Sequence, residues 1–117
     1  MKYEYYDIDS YNCVIRSISK ALGKDPIDVY NELCIIDKEY SKEKVFEKYL
    51  LKNNFEVVNI FKNKNLLNTN LIGTNIAYVK DKDWHHMVCV IDNTLYDKHD
   101  LNKLENMKII KVYRFRG

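Results

Sequence analysis

Residues 84–100 read WHHMVCVIDNTLYDKHD, and this stretch decides the fold of the chain. Trp84 to Ile91 is apolar or alternating and rich in β-formers, which predicts a strand. Asp92-Asn93 predicts a two-residue hairpin turn, because Asn tolerates the positive φ that such turns require. Thr94 to Asp97 is then the returning strand. Successive side chains of a strand point to opposite faces, so His86, Val88 and Val90 share one face, and His85, Met87, Cys89 and Ile91 the other. With that turn Ile91 pairs with Thr94, and Val88 with Asp97. Asp97 then lies on the His86 face, two positions away on the diagonal, about 7–8 Å between backbones. A carboxylate there can accept an imidazole N–H and fix the ring's tautomer. Moving the loop to Asn93-Thr94 keeps this facing, whereas a three-residue loop reverses it and favours His85. Asp92 shares the face but lies roughly 20 Å from His86 at about 3.3 Å per residue, too far to orient the ring. His99 falls nearly opposite His86, as an accessory group or a solvated residue at the strand end.

Upstream of the hairpin the period is helical. Val14, Ile18, Ala21 and Leu22 recur at helical spacing from Asn12 onward, with Gly23 as a stop. Asp25-Pro26 reads as an N-cap with proline in the first helical position, opening a helix from Pro26 to Leu33. Ser41 is expected to cap a third helix with the stripe Val45, Phe46, Tyr49 and Leu50, ending at Asn53-Asn54. Residues 1–10 are polar and read as an extended lead-in. Phe55–Phe61, Asn75–Val79 and Ile109–Phe115 read as further strands, and 62–74 as a loop with one irregular turn. Helices first and strands afterwards, with consecutive strands antiparallel, predict an α+β domain spanning residues 1–117.

Cys13 falls in the first turn of the first helix, directly after Asp9-Ser10-Tyr11-Asn12. Unpaired N–H groups and the positive end of the helix dipole converge there and favour a thiolate. The same groups can stabilise a developing oxyanion, with Asn12 as a second donor. Most free cysteines are simply small buried residues, so the position alone leaves both readings open.

Composition narrows the field. The chain has 117 residues, 46% hydrophobic and 31% charged, which suits a globular protein. Its 19 basic and 17 acidic residues are interleaved with no basic block, which argues against nucleic-acid binding. No stretch approaches the roughly 18 apolar residues of a membrane span, and nothing resembles a signal peptide. Three cysteines without a CxxC disfavour a disulfide framework and suit a reducing cytoplasm. Zinc is the rival chemistry, since Cys13, His85, His86, Cys89 and His99 are all ligand types. The His85-x3-Cys89 spacing, however, separates the two by about 13 Å along a strand, so no metal or other cofactor is expected.

Two motifs, NCVIRSISKALG at 12–23 and HHMVCVIDNTLYD at 85–97, follow the order Cys on an early helix, His on a later strand, Asp on the next. That order resembles papain-like cysteine peptidases. More narrowly it is similar to small phage and bacterial members of the superfamily, near in size and plan to the peptidases that trim bacteriocin leaders. The resemblance implies a compact papain-like fold, helices packed on an antiparallel sheet. It also implies a thiol protease or related hydrolase with Cys13, His86 and Asp97 as catalytic triad and a peptide or protein as substrate. Such enzymes generally draw an oxyanion donor from a Gln six residues before the Cys. Asp7 stands there, and an ionised Asp cannot donate. A second class of reading is a catalytically silent relative that binds or inhibits another protein, which the surplus of ten tyrosines suits. Arg16 and Arg116 are candidates to contact acidic groups, though isolated arginines are usually surface or ion-pair residues.

Overall fold

The computed structural model describes residues 1–8 and 11–117. In chain order the elements are β1 (Lys2–Tyr5), α1 (Cys13–Leu22), α2 (Pro26–Ile36), α3 (Glu43–Lys52), β2 (Phe55–Val58), β3 (Thr74–Asp81), β4 (Trp84–Ile91), β5 (Thr94–Asp97), α4 (Leu101–Leu104) and β6 (Lys108–Phe115). A single turn of 3-10 helix covers Leu66–Asn68. The strands form one six-stranded sheet in the order β1-β5-β4-β3-β6-β2, so the chain is an α+β fold with helices packed on a sheet.

Alternation along the strands divides the core in two. On one face Ile76, Met87 and Tyr113 meet the buried stripes of the helices: Val14, Ile15 and Ile18 of α1, Val29 and Leu33 of α2, Phe46, Tyr49 and Leu50 of α3. On the other, Ala77, Val79, Val88, Val90, Leu95 and Val112 are covered by Leu66, Leu71, Leu104 and Met107. Each fully buried aliphatic side chain contributes roughly 1.5–3 kcal/mol. The sheet is therefore sandwiched between a helical layer and a layer made mostly of connecting chain.

α1 begins where Asn12 Oδ1 accepts the N–H groups of Val14 and Ile15 (3.1 and 3.2 Å). It ends at Gly23, whose φ of 65° lets its N–H turn back to Ser19 O. Asp25 caps α2, which runs three residues past the expected Leu33. Ser41 does not cap α3; Lys42 holds that place without a side-chain bond, and the helix depends on its buried face instead.

Residues 2–5 are more than a lead-in: they form an edge strand parallel to β5, Lys2 beside Thr94 and Tyr5 beside Asp97, so the sheet is mixed rather than wholly antiparallel. A parallel strand needs a long crossover, and here the crossover contains nearly the whole protein. The 62–74 segment is, as expected, a loop with one irregular turn, Leu66–Asn68, but it is packed rather than free. Leu66 and Leu71 are fully buried, and the segment is clasped to the β4–β5 turn by Asp92 N–H to Gly73 O (2.9 Å) and Asn93 N–H to Leu71 O (2.7 Å).

That turn is as expected: two residues, Asp92 and Asn93, at φ 47° and 65°. Asn93 Oδ1 also accepts the Leu71 N–H at 3.0 Å. Asn93→Ala should therefore lose about 1–2 kcal/mol to the left-handed backbone and about 1 kcal/mol to the missing bond. Asn93→Gly should lose only the second part. Urea unfolding checks both, and an unchanged midpoint for Asn93→Ala would contradict this account of the turn.

Candidate active site

The β4–β5 ladder runs Ile91–Thr94, Val90–Leu95, Cys89–Tyr96 and stops there. The next step sets Asp97 beside Val88, on the diagonal to His86. His86 Nε2 lies 2.8 Å from Asp97 Oδ2, with His86 3% and Asp97 0% exposed. His85, on the opposite face, is exposed and has Tyr78 as its ring neighbour at 5.8 Å. Asp92 stays at the turn, where its carboxylate accepts the Gly73 N–H.

Asp97 is fixed from every side. Its backbone carbonyl accepts the Tyr6 N–H and the Tyr3 hydroxyl, both at 3.0 Å, so β1 sets its position along the sheet. Its second carboxylate oxygen accepts from Arg16 Nη2 at 3.0 Å. Arg16 is only 2% exposed, and Nη1 lies 3.9 Å from Asp7 Oδ1. The acidic contact open to Arg16 is thus made inside the protein rather than at the surface: a buried carboxylate at the end of β5 draws the guanidinium inward. Arg116 does sit at the surface, paired with Glu56.

Because β5 ends at Asp97, the lower half of β4 has an open edge, and α1 fills it. Ser17 Oγ donates to Met87 O at 3.0 Å, and Cys13, one turn earlier, lies against the Met87 backbone, which favours its thiolate. The spacing i, i+4 places both side chains on one helix face, so a single strand residue docks the helix start. Cys13 remains partly exposed. With Nε2 engaged by Asp97, Nδ1 is the ring nitrogen left for the thiol.

The electrostatics follow from these contacts. Burial opposes a Cys13 thiolate, but hydrogen bonding to His86, the His86 charge, the Met87 N–H and the Arg16 charge outweigh it and hold the thiol below its ordinary range. Burial likewise opposes a charged His86, yet its bonds to Asp97 and Cys13 raise it above the usual imidazole value. Asp97 is held low, since the His86 bond, His86, Arg16 and His99 together overcome burial. Cys89, deep in the sheet, is pushed up to about 12 by burial.

An aromatic shell closes over the imidazole. Trp84 stacks on His86 (4.8 Å between ring centres, 24° between planes), and His99 meets both rings edge-on at 5.0 and 5.1 Å. His99 is therefore not a solvated strand end. Burial lowers its pKa.

The oxyanion donors differ from expectation. Asn12 is the helix cap, its oxygen taken by two N–H groups and its Nδ2 bonded to Tyr40 Oη at 3.2 Å. Asp7 accepts rather than donates. Of the polar run before Cys13, Asp9 and Ser10 lie outside the described residues. Among the described residues no three His, Cys, Asp or Glu side chains converge as a metal-ligand set, and no helix is long and apolar enough to cross a membrane. The structure brings His86, Asp97 and Cys13 together; the burial of Arg16 and the stacking of Trp84 carried no sequence signal, because they depend on partners remote in sequence or on ring packing. Comparison with family models, curated proteins and solved structures returned no match.

Asp97 has a depressed folded-state pKa, so its share of stability is present above the unfolded carboxylate value of about 3.9 and is lost as pH falls through the folded value. Asp97→Asn leaves the buried Arg16 charge without its nearer counter-charge, with only the longer contact to Asp7 at 3.9 Å. It should lower the unfolding free energy at pH 7 by roughly 3–5 kcal/mol and flatten the acid limb of stability. A loss under about 1 kcal/mol in urea unfolding would contradict the buried pairing.

Proposed function

We propose that this chain is a papain-like thiol hydrolase that cleaves, or transfers at, an amide bond of a peptide or protein substrate. The observation that carries the reading is geometric: Cys13 opens α1 beside His86, whose Nε2 lies 2.8 Å from the buried Asp97 carboxylate, an arrangement that lowers the thiol and raises the imidazole. Both shifts favour thiolate and imidazolium, the form that attacks a carbonyl.

In the proposed cycle Cys13 Sγ adds to the substrate carbonyl carbon and the carbonyl electron pair moves to oxygen. His86 gives its proton to the leaving amine as the C–N bond breaks, which leaves an acyl-thioester on Cys13. His86, now neutral, takes a proton from water, and the hydroxide attacks the thioester and restores the thiolate; a second amine in place of water makes the same step a transfer. Asp97 keeps Nε2 protonated and the ring in plane. The oxyanion depends on the backbone N–H of Cys13 and the positive end of α1, because Asn12 already takes the next two N–H groups and Asp7 offers no proton. Free cysteines suit action in a reducing cytoplasm.

A second reading has its own support. Asp7, exposed and paired with Arg16, puts an acceptor where a side-chain oxyanion donor is expected, and exposed Tyr5 and Tyr30 offer contact surface. A silent relative that binds another protein fits these features.

Iodoacetamide at pH 7 separates the readings. Cys13 should be alkylated well ahead of Cys34 and Cys89 in the folded protein. His86→Ala should slow Cys13 by at least tenfold, since an opposite charge nearby is worth 1–3 pH units to the thiol. Equal slow labelling of all three cysteines would remove the enzymatic reading. Cys13→Ala should abolish turnover under the first reading and leave the biological effect intact under the second.

A further inference from the structure

Arg16 is an unusual residue to find at 2% exposure, and it stands three residues after Cys13 on the same helix face. We infer that Arg16 is a positioning residue of this site: it grips the free oxygen of Asp97 and sets the pH range over which the Cys13–His86 pair is charged. This rests on the thiol-hydrolase reading and adds to it a residue outside the Cys-His-Asp set.

Each Asp97 oxygen has one strong partner, Oδ2 the imidazole at 2.8 Å and Oδ1 the guanidinium at 3.0 Å. The carboxylate plane is fixed by those two bonds together, so the direction in which it presents Oδ2 to His86 depends on Arg16. The guanidinium also lies on the helix that carries the nucleophile. A rotation of α1 that moved Cys13 would strain the Arg16–Asp97 contact, and the two halves of the site are thereby kept in register.

Charge gives the second consequence. Asp97 faces His86 from β4, Arg16 from α1, His99 from the segment after β5, and Tyr3 from β1; Asp7 reaches the group through Arg16. Cys13 faces His86 and Arg16, with Tyr40 and Tyr78 near it. Arg16 is the one fixed positive charge common to both sets, because a guanidinium stays protonated while the imidazole titrates. It offsets part of the Asp97 charge and favours the thiolate directly. A lysine could supply the charge but not a planar fork that reaches Asp97 and Asp7 together. The buried Arg16 Nε has no hydrogen-bond partner among the described residues, so the contact is maintained at some cost to stability.

The test is the rate of Cys13 alkylation by iodoacetamide from pH 4.5 to 9, read by peptide mass spectrometry in wild type, Arg16→Met and Arg16→Lys, with circular dichroism to verify folding. The wild-type limb should lie below that of an ordinary thiol. Arg16→Met should move it up by about one pH unit, a tenfold loss of rate on the acid side, as expected for removing a neighbouring opposite charge. Arg16→Lys should fall between the two. A limb unchanged in folded Arg16→Met overturns the inference while the hydrolase reading stands; an ordinary limb in wild type overturns the hydrolase reading itself. Should Arg16→Met not fold, the wild-type Arg16 Nε–H resonance carries the test. It should shift with the same midpoint as the Cys13 limb, and a resonance that stays fixed across that range overturns the role.

Discussion

The carboxylate of Asp97 is buried completely at the end of β5, and the rest of the site is arranged around keeping it charged. Isolated in a protein interior, such a group would sooner take up a proton than remain ionised. Here two cationic or proton-donating partners, His86 and Arg16, each take one oxygen, while β1 holds the backbone through Tyr6 N–H and Tyr3 Oη. Those bonds join the β4–β5 hairpin to β1 and α1, both distant from it in sequence. A carboxylate held this way imposes direction on the imidazole, and the imidazole in turn favours the thiolate at Cys13.

The meeting of α1 with the sheet follows from where a strand stops. β5 is four residues long and β4 is eight, so half of one edge of β4 lacks a strand partner. Unpaired edge groups must be satisfied by something. Ser17 supplies the partner for the Met87 carbonyl, Cys13 lies against the same residue's backbone, and this docking brings the helix N-terminus up to His86. Sheet completion and site assembly are thus one structural event. Trp84 then stacks on the ring, His99 meets it edge-on, and together they shield it from water, which strengthens the charge interactions beneath them.

What was legible in the sequence was local. Trp84–Ile91, the Asp92-Asn93 turn and Thr94–Asp97 carry alternation and turn chemistry within a few residues, so register and facing followed, and with them the proximity of His86 and Asp97. α1 was legible from its stripe and from Asn12 and Gly23. β1 was not recognised as a strand, because its four polar or amphipathic residues gain their meaning from a partner about ninety positions away. Arg16 was not placed, since the burial of a charge depends on who waits for it inside. Leu66 and Leu71 lay in a polar segment whose packing is set by the sheet face it covers rather than by any period of its own. The helical start at Ser41 failed because a cap preference is worth about 1 kcal/mol and tertiary burial of α3 outweighs it.

The central claim is that His86 and Cys13 share charge, and the protonation of the His86 ring tests it most directly. Nitrogen chemical shifts of that ring, followed by NMR from pH 5 to 9, should report an imidazolium that persists above the ordinary histidine value of about 6.5. The midpoint should fall when Cys13 is replaced by Ala, because the thiolate that raises it is gone. A His86 ring that is neutral at pH 7, with a midpoint indifferent to Cys13→Ala, would contradict the account.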